Sequence, residues 1–164
     1  MTIQYQSSVL FVRDIQASRR FYEDVLGQEV LMDHGPNVAY KSGFAIWQVD
    51  HAFQMIFEHA PDGAGPLGRQ NYELYFEAAD LDTVGARLSN AGVEMVHPVR
   101  EHPWGQRVLR VYDPDGHIVE IGEPMPAVIS RFLAHGLTPE AVAQRTSMPL
   151  PIVQQIAAQK GAPA

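Results

Sequence analysis

The chain is predicted to be an α+β protein: two paired β-α-β-β-β modules forming a curved mixed sheet around a cleft, followed by a C-terminal helical extension. Three observations carry this. Leu10-Phe11-Val12-Arg13-Asp14-Ile15 leads into an amphipathic stretch ending at Leu26-Gly27-Gln28-Glu29-Val30. About 66 residues later Leu74-Tyr75-Phe76-Glu77-Ala78-Ala79-Asp80-Leu81 leads into another, ending at Ala91-Gly92-Val93-Glu94-Met95, and self-similarity at a fixed offset is the signature of a repeated unit. Finally, the strand-type pattern gives way after Pro124-Met125-Pro126 to helical periodicity.

In the first module, Ser8, Leu10 and Val12 alternate with Ser7, Val9 and Phe11, as a strand with two different faces requires. A helix follows, with Ala17, Phe21, Tyr22, Val25 and Leu26 toward one side and Gly27 as its left-handed cap. Strands are expected at Glu29 to Asp33, Val38 to Lys41 and Phe44 to Val49, separated by Gly35-Pro36-Asn37 and Ser42-Gly43 turns. His51 to Phe57 reads either as a short strand or as one helical turn, and Pro61 to Gly68 as part of a linker over 51–69. The second module repeats the order: strands near Tyr72 to Glu77, Glu94 to Val99, Arg107 to Tyr112 and Ile118 to Gly122, and a helix over Leu81 to Ala91. Asp113-Pro114-Asp115-Gly116 joins its last two strands as a tight turn, Pro presetting φ and Gly taking the positive φ. His102-Pro103-Trp104-Gly105 reads as a loop at one end of the sheet, a place from which a cavity can be gated. Domain limits follow as 1–124, with modules 1–50 and 70–124, and 125–164 for the extension. Its helices run Val128 to His135, Thr138 to Thr146 with Thr138 as N-cap and Pro139 at the first helical position, and Leu150 or Pro151 to Gln159.

Composition bounds the function. A chain of 164 residues with 46% hydrophobic content can bury a core. No run approaches the roughly 18 apolar residues of a membrane helix, and the N-terminus lacks a signal-peptide pattern, so a cytoplasmic location is expected. There is no cysteine, which excludes disulfides, thiolate zinc sites and a Cys nucleophile; any metal falls to His, Glu, Asp or Gln. A net charge of -7 argues against nucleic acid as a partner. Leu137 to Thr146 followed by Pro149 to Ile156 looks like a helix-turn-helix, but the would-be recognition helix, Pro151 to Gln159, holds no Arg or Lys. The apolar residues of the whole extension, Val128, Phe132, Leu133, Val142, Ile152 and Ile156, are expected to pack against the sheet or a second subunit.

The doubled plan, the opening Leu10-Phe11-Val12-Arg13-Asp14-Ile15 with Ser18-x-x-Phe21-Tyr22-x-x-Val25-Leu26-Gly27, and the closing Asp113-Pro114-Asp115-Gly116-His117-Ile118-Val119-Glu120 together resemble the vicinal oxygen chelate superfamily. That group includes glyoxalase I, extradiol dioxygenases, fosfomycin-resistance transferases and bleomycin-resistance proteins. The resemblance covers roughly residues 5 to 124. It specifies the fold and leaves the reaction open, since the superfamily holds both metal enzymes and metal-free binding proteins. It also implies a homodimer.

Metal sites in the family take one side chain from the first and one from the last strand of each module. Carried over, the second module contributes Glu120, four residues after Gly116, at the usual carboxylate position, and Glu73, seven before Asp80, where His is usual. The first module contributes Ser7, seven before Asp14, in place of His, Gln or Glu, and Trp47 or Gln48 depending on register. Glu73, Glu120 and Gln48 are thus the candidate ligands for a divalent metal (Ni, Zn, Mn or Co) in a site that is degenerate or empty. Two carboxylates in a concave apolar cleft must share a proton, bind a cation or meet an Arg. Glu73 and Glu120 are therefore candidate catalytic residues, as metal ligands or as a general base; otherwise Glu73 pairs with Arg107, Arg110 or another base and Glu120 is a retained ligand position in a ligand-binding or inert cleft. These two arginines differ in strand parity, so only one faces the cleft. Ser7, Trp47, Gln48, Tyr75, Trp104 and Arg107 are the candidate ligand-binding residues; Trp47, Tyr75, Trp104 and Tyr112 suit a flat or hydrophobic ligand. His51, His59, His97, His102 and His117 lack H-x-H or HExxH spacing and read as surface or turn residues. The function expected is that of a small-molecule-binding protein of the glyoxalase/bleomycin-resistance type with a degenerate metal site; the alternative is a divalent-metal lyase or isomerase resembling glyoxalase I.

Overall fold

The computed structural model describes residues 2–61, 63 and 65–161, with side chains through Gln159. Asp62 and Ala64 of the expected linker and the last residues of the extension lie outside the described residues. The chain forms two compact units: Met1–Tyr72 with Tyr112–Ile118, and Glu73–Val111 with Val119–Ala164.

In the first unit β1 (Ser8–Val12), β2 (Val30–Asp33), β3 (Asn37–Tyr40) and β4 (Phe44–Gln48) form a sheet of order β1-β4-β3-β2. β1 runs parallel to β4 and the other pairs are antiparallel. Asp14 ends β1 and caps α1 (Ile15–Arg19), accepting from the backbone N–H of Gln16 at 2.9 Å and of Ala17 at 3.0 Å. The helix then widens into a π-helical stretch, Arg20–Val25, and Gly27 leaves it at φ +70° as expected. The widened turn buries adjacent residues, Phe21 and Tyr22; the Tyr22 ring packs on Tyr40 and Phe44, 5.0 Å from the latter, and lies 4.9 Å from Phe21. The buried Tyr22 hydroxyl donates to Asp113 at 2.8 Å. Asp113 opens the tight turn, accepting from the N–H of Asp115 at 2.9 Å and of His117 at 2.8 Å, and Gly116 takes φ +82°. Asp115 in turn accepts from the Arg13 N–H at 3.1 Å, which fastens the turn to the end of β1.

Residues 51–57, open between strand and helix in sequence, belong to α2 (Val49–Phe57). The helix starts where β4 stops, and burial of Val49 and Ala52 at helical spacing selects it over a strand. The segment assigned to the linker therefore begins as ordered helix.

In the second unit β5 (Glu73–Glu77), β6 (Met95–Glu101), β7 (Arg107–Tyr112) and β8 (Ile118–Gly122) form a sheet of order β5-β8-β7-β6, the same order as the first. Asp80 caps α3 (Leu81–Asn90), accepting from Thr83 N–H at 2.9 Å, just as Asp14 caps α1. Leu74, Leu81, Leu88, Leu109, Val111, Val119 and Ile121 are buried in this unit. The helices α4 (Met125–Ala134), α5 (Pro139–Thr146) and α6 (Leu150–Gly161) form their own small core of Val128, Ile129, Phe132, Val142 and Val153. Thr138 caps α5 and Pro139 opens it, as the sequence predicts. Among the described residues no helix is long and apolar enough to cross a membrane.

Candidate functional site

Strand alternation assigns each side chain to a face. On β5, Leu74 is buried while Glu73, Tyr75 and Glu77 project from the other side. On β7, Leu109 packs on α3 beside Gly85, and Arg107 shares that parity. Its guanidinium lies 3.4 Å from Glu123 and 3.7 Å from Asp82 of α3. Arg110 has the opposite parity and is the arginine on the face of Glu73 and Glu120. Arg107, proposed from sequence as a ligand-binding residue, is committed to the helix side instead.

Arg110 joins the two candidate carboxylates. Its Nε donates to Glu73 Oε2 at 2.9 Å and its Nη2 pairs with Glu120 Oε2. Its Nη1 faces His97 Nε2 at 3.3 Å. His97 Nδ1 lies 2.8 Å from the Pro98 carbonyl, so Nδ1 carries the proton and Nε2 is left to accept from Arg110. Glu120 is buried and Glu73 is open to solvent.

Beside this triad lies an aromatic and amide chain. The Tyr75 ring covers Gly122, where a Cβ would come 2.9 Å from Tyr75 Cε2, so the ring's close approach depends on glycine there. The Tyr75 hydroxyl donates to Glu77 at 3.0 Å and accepts from Gln106 Nε2 at 2.9 Å. Gln106 also donates to the Glu123 carbonyl at 2.8 Å and accepts from Trp104 Nε1 at 3.1 Å. Trp104 is stacked on His102, centroids 4.3 Å apart and planes 12° from parallel. Burial, then the hydrogen bond to Glu77, pushes the Tyr75 hydroxyl up; burial, then Arg110 and His97, holds the His102 imidazole below its usual range.

The first unit holds the remaining candidates. Ser7 precedes β1, exposed, its hydroxyl 3.0 Å from the Ser8 carbonyl. The parallel register sets Phe11 beside Trp47 and Val12 beside Gln48. Trp47 therefore shares the face of Val9 and Phe11, where its ring meets Phe11 at 6.2 Å and its Nε1 donates to His51 Nδ1 at 2.8 Å. Gln48 shares the opposite face with the buried Leu10 and Val12, and its backbone leads into α2.

A divalent cation does not fit the donor set of the second unit. The guanidinium of Arg110 already stands between Glu73 and Glu120, and a metal would have to expel it. Among the described residues no group of three or more His, Asp or Glu is arranged to hold a metal ion. Trp47, on the matching strand of the first unit, has no lone pair to offer.

Sequence reasoning brought Glu73 and Glu120 to one face and left Arg110 as one of two options. It passed over His97, His102 and Gln106. Register shifts between Met95 and His97 and between His97 and Arg100 prevent faces from being counted along β6, and Gln106 lies in the approach to β7. The signal that was present is His102 two residues from Trp104 in a Pro-Gly turn.

The family model of the glyoxalase-like domain matches residues 5–126. A protein of unknown function from Agrobacterium tumefaciens str. C58 is 40% identical, the match covering 76% of this chain and 96% of that one, with a TM-score of 0.70. A glyoxalase-related enzyme from Fulvimarina pelagi is 26% identical over 74% of this chain and 88% of that one, TM-score 0.62. A lactoylglutathione lyase from Agrobacterium tumefaciens, 23% identical over 76% of this chain and 96% of that one with a TM-score of 0.57, shares the fold. Comparison with curated proteins returns no match. The matched region ends where α4 begins, so the helical extension is additional to it. With its doubled β-α-β-β-β plan and this match, the chain belongs to the glyoxalase-like domain family of the vicinal oxygen chelate superfamily.

Proposed function

We propose that the chain is a small-molecule-binding protein of the glyoxalase/bleomycin-resistance type in which Arg110 supplies the positive charge that a metal supplies in relatives. The observation that carries this is the placement of Arg110 between Glu73 and Glu120. An internal cation balances the buried carboxylate, so the pair does not require an ion from solution. What the face offers a ligand is ring surface from His102, Tyr75 and Trp104 beside a guanidinium already held by Glu73, Glu120 and His97. Such a surface suits a flat organic molecule.

The test is thermal unfolding of chelator-stripped protein with and without Ni²⁺, Zn²⁺, Mn²⁺, Co²⁺ and Mg²⁺, wild type against Glu120→Gln. A ligand at about 100 times its dissociation constant adds about 2.7 kcal/mol. No metal-dependent shift is expected. A shift that Glu120→Gln removes overturns the proposal and moves the assignment to a divalent-metal lyase or isomerase.

A further inference from the structure

The Trp104 turn has two sides. Toward the sheet, Trp104 reaches Tyr75 through Gln106. Toward the C-terminus, it lines a cavity of about 360 Å³ with Met125 of α4 and Thr146, Ser147 and Met148 at the end of α5. The extension beyond the family match thus builds most of that wall. The wall is held firmly in place. Arg131 of α4 donates to the Gly105 carbonyl at 2.6 Å and to Glu123 at 2.9 Å, and Arg131 and Arg145 both bond Glu101. The Phe132 ring occupies the space where a Cβ on Gly105 would stand.

We propose that this cavity is a binding site for the flat apolar part of a small organic ligand, and that the C-terminal helices are therefore part of the recognition apparatus. This rests on the reading of the chain as a small-molecule-binding protein and adds to it the class of ligand. Three features select that occupant. The volume is that of a small-molecule site, in a pocket broadly open to solvent. The lining is an indole and two thioethers, groups that favour contact with ring edges and faces, with Thr146 and Ser147 completing the wall. Trp104 is 39% exposed although His102 stacks on it, so the indole keeps surface for a guest. Among the described lining residues the Ser147 hydroxyl has no internal hydrogen bond, whereas the Thr146 hydroxyl donates to the Val142 carbonyl at 2.7 Å.

The probe is 8-anilinonaphthalene-1-sulfonate, a flat anionic fluorophore, followed by energy transfer from tryptophan in a Trp47→Phe background, where Trp104 is the sole donor. The proposal expects saturable transfer from Trp104. Ser147→Phe, which fills the cavity, weakens binding at least tenfold, and Met148→Gln, which makes its wall polar, weakens it severalfold, both with unchanged far-UV circular dichroism. Arg110→Gln tests the sheet face separately. Loss of binding with Arg110→Gln but not with the two cavity variants overturns the cavity and leaves the sheet-face reading standing. Loss with the cavity variants alone supports the cavity whatever becomes of the sheet face. Absence of transfer, or transfer indifferent to Ser147→Phe and Met148→Gln, overturns the proposal; if Ser147→Phe does not fold, Met148→Gln decides.

Discussion

Replacing Arg110 by Met keeps much of the side chain's apolar length and removes its charge. The cost follows from how unequally the two carboxylates are covered. The side chain of Glu73 is 42% exposed, that of Glu120 is 8% exposed and that of Arg110 is 21% exposed. The Glu73 contact behaves as a surface pair and contributes at most about 1 kcal/mol. Glu120 is different: without Arg110 a nearly buried carboxylate has no counter-charge, a situation that costs about 3–5 kcal/mol. Arg110 itself is reached by water, which places the expected loss at the low end, about 3 kcal/mol. For a chain of 164 residues that lowers Tm by roughly 6–12 °C. Urea unfolding of wild type, Arg110→Met, Glu120→Leu and the double variant measures the coupling. The double variant is expected to return to within about 1 kcal/mol of wild type, because removing both charges removes the desolvation cost along with the attraction. Manganese is expected to leave wild type unmoved and to stabilise Arg110→Met, since the two carboxylates then lack their internal cation. A loss under about 1 kcal/mol, or a double variant no better than Arg110→Met, would refute the reasoning that Arg110 balances Glu120.

Three further outcomes follow from the same structure. Tyr22→Phe leaves buried Asp113 without its hydroxyl donor and is expected to cost about 1–3 kcal/mol in urea unfolding. Burial, then the charge of Asp113, pushes the Tyr22 hydroxyl well above its usual range; that stability is present below about pH 10 and is lost as pH rises further, so ultraviolet titration of the folded protein should show late-ionising phenols, buried Tyr40 among them, one fewer in Tyr22→Phe. Gly105→Ala meets the Phe132 ring 2.2 Å from the new Cβ at φ +87° and is expected to cost about 1–3 kcal/mol, read as a lower Tm. At Glu123 burial alone would raise the carboxyl, but the bonds from Arg131 and the Arg107 N–H outweigh it and hold it below its usual range. Its contribution is present above about pH 4.5 and lost as pH falls through the lowered value; Glu123→Gln should flatten the acid limb of stability against pH.

Much of the fold was legible because the same local devices occur twice. Asp14 and Asp80 both end a strand and cap a helix, and Gly27 and Gly92 both leave a helix at positive φ, +70° and +69°. What sequence left open depends on facts that are not local. Whether 51–57 is strand or helix turns on burial of Val49 and Ala52. Whether Trp47 or Gln48 shares the face of Phe11 turns on the register of β1 against β4. The choice between Arg107 and Arg110 turns on α3, which takes the side chains of Leu109 and Arg107 to its own side. The place of His97 is hidden by two irregularities in β6. Carboxylates at family positions were visible in sequence, and so were two candidate counter-ions, whereas the choice of Arg110 between them was not.

The difference between the two modules bears on what the family's fold is used for here. At corresponding places the first module carries Val9, Phe11 and Trp47, and the second carries Tyr75, Glu77 and Glu120. A site that chelates a divalent ion needs donors from several elements and a net negative set to offset the ion's charge. The first module offers aromatic surface at its matching strand, with Phe11 packed on Trp47 and on Phe53 at 6.1 Å. The second offers two carboxylates that Arg110 already holds. Arg110 offsets the charge of the buried Glu120, and on the proposed reading no metal is needed to keep that carboxylate in place. The alternative, a divalent metal between Glu73 and Glu120, requires the guanidinium to leave, which makes Arg110 the residue on which the two readings of this fold divide.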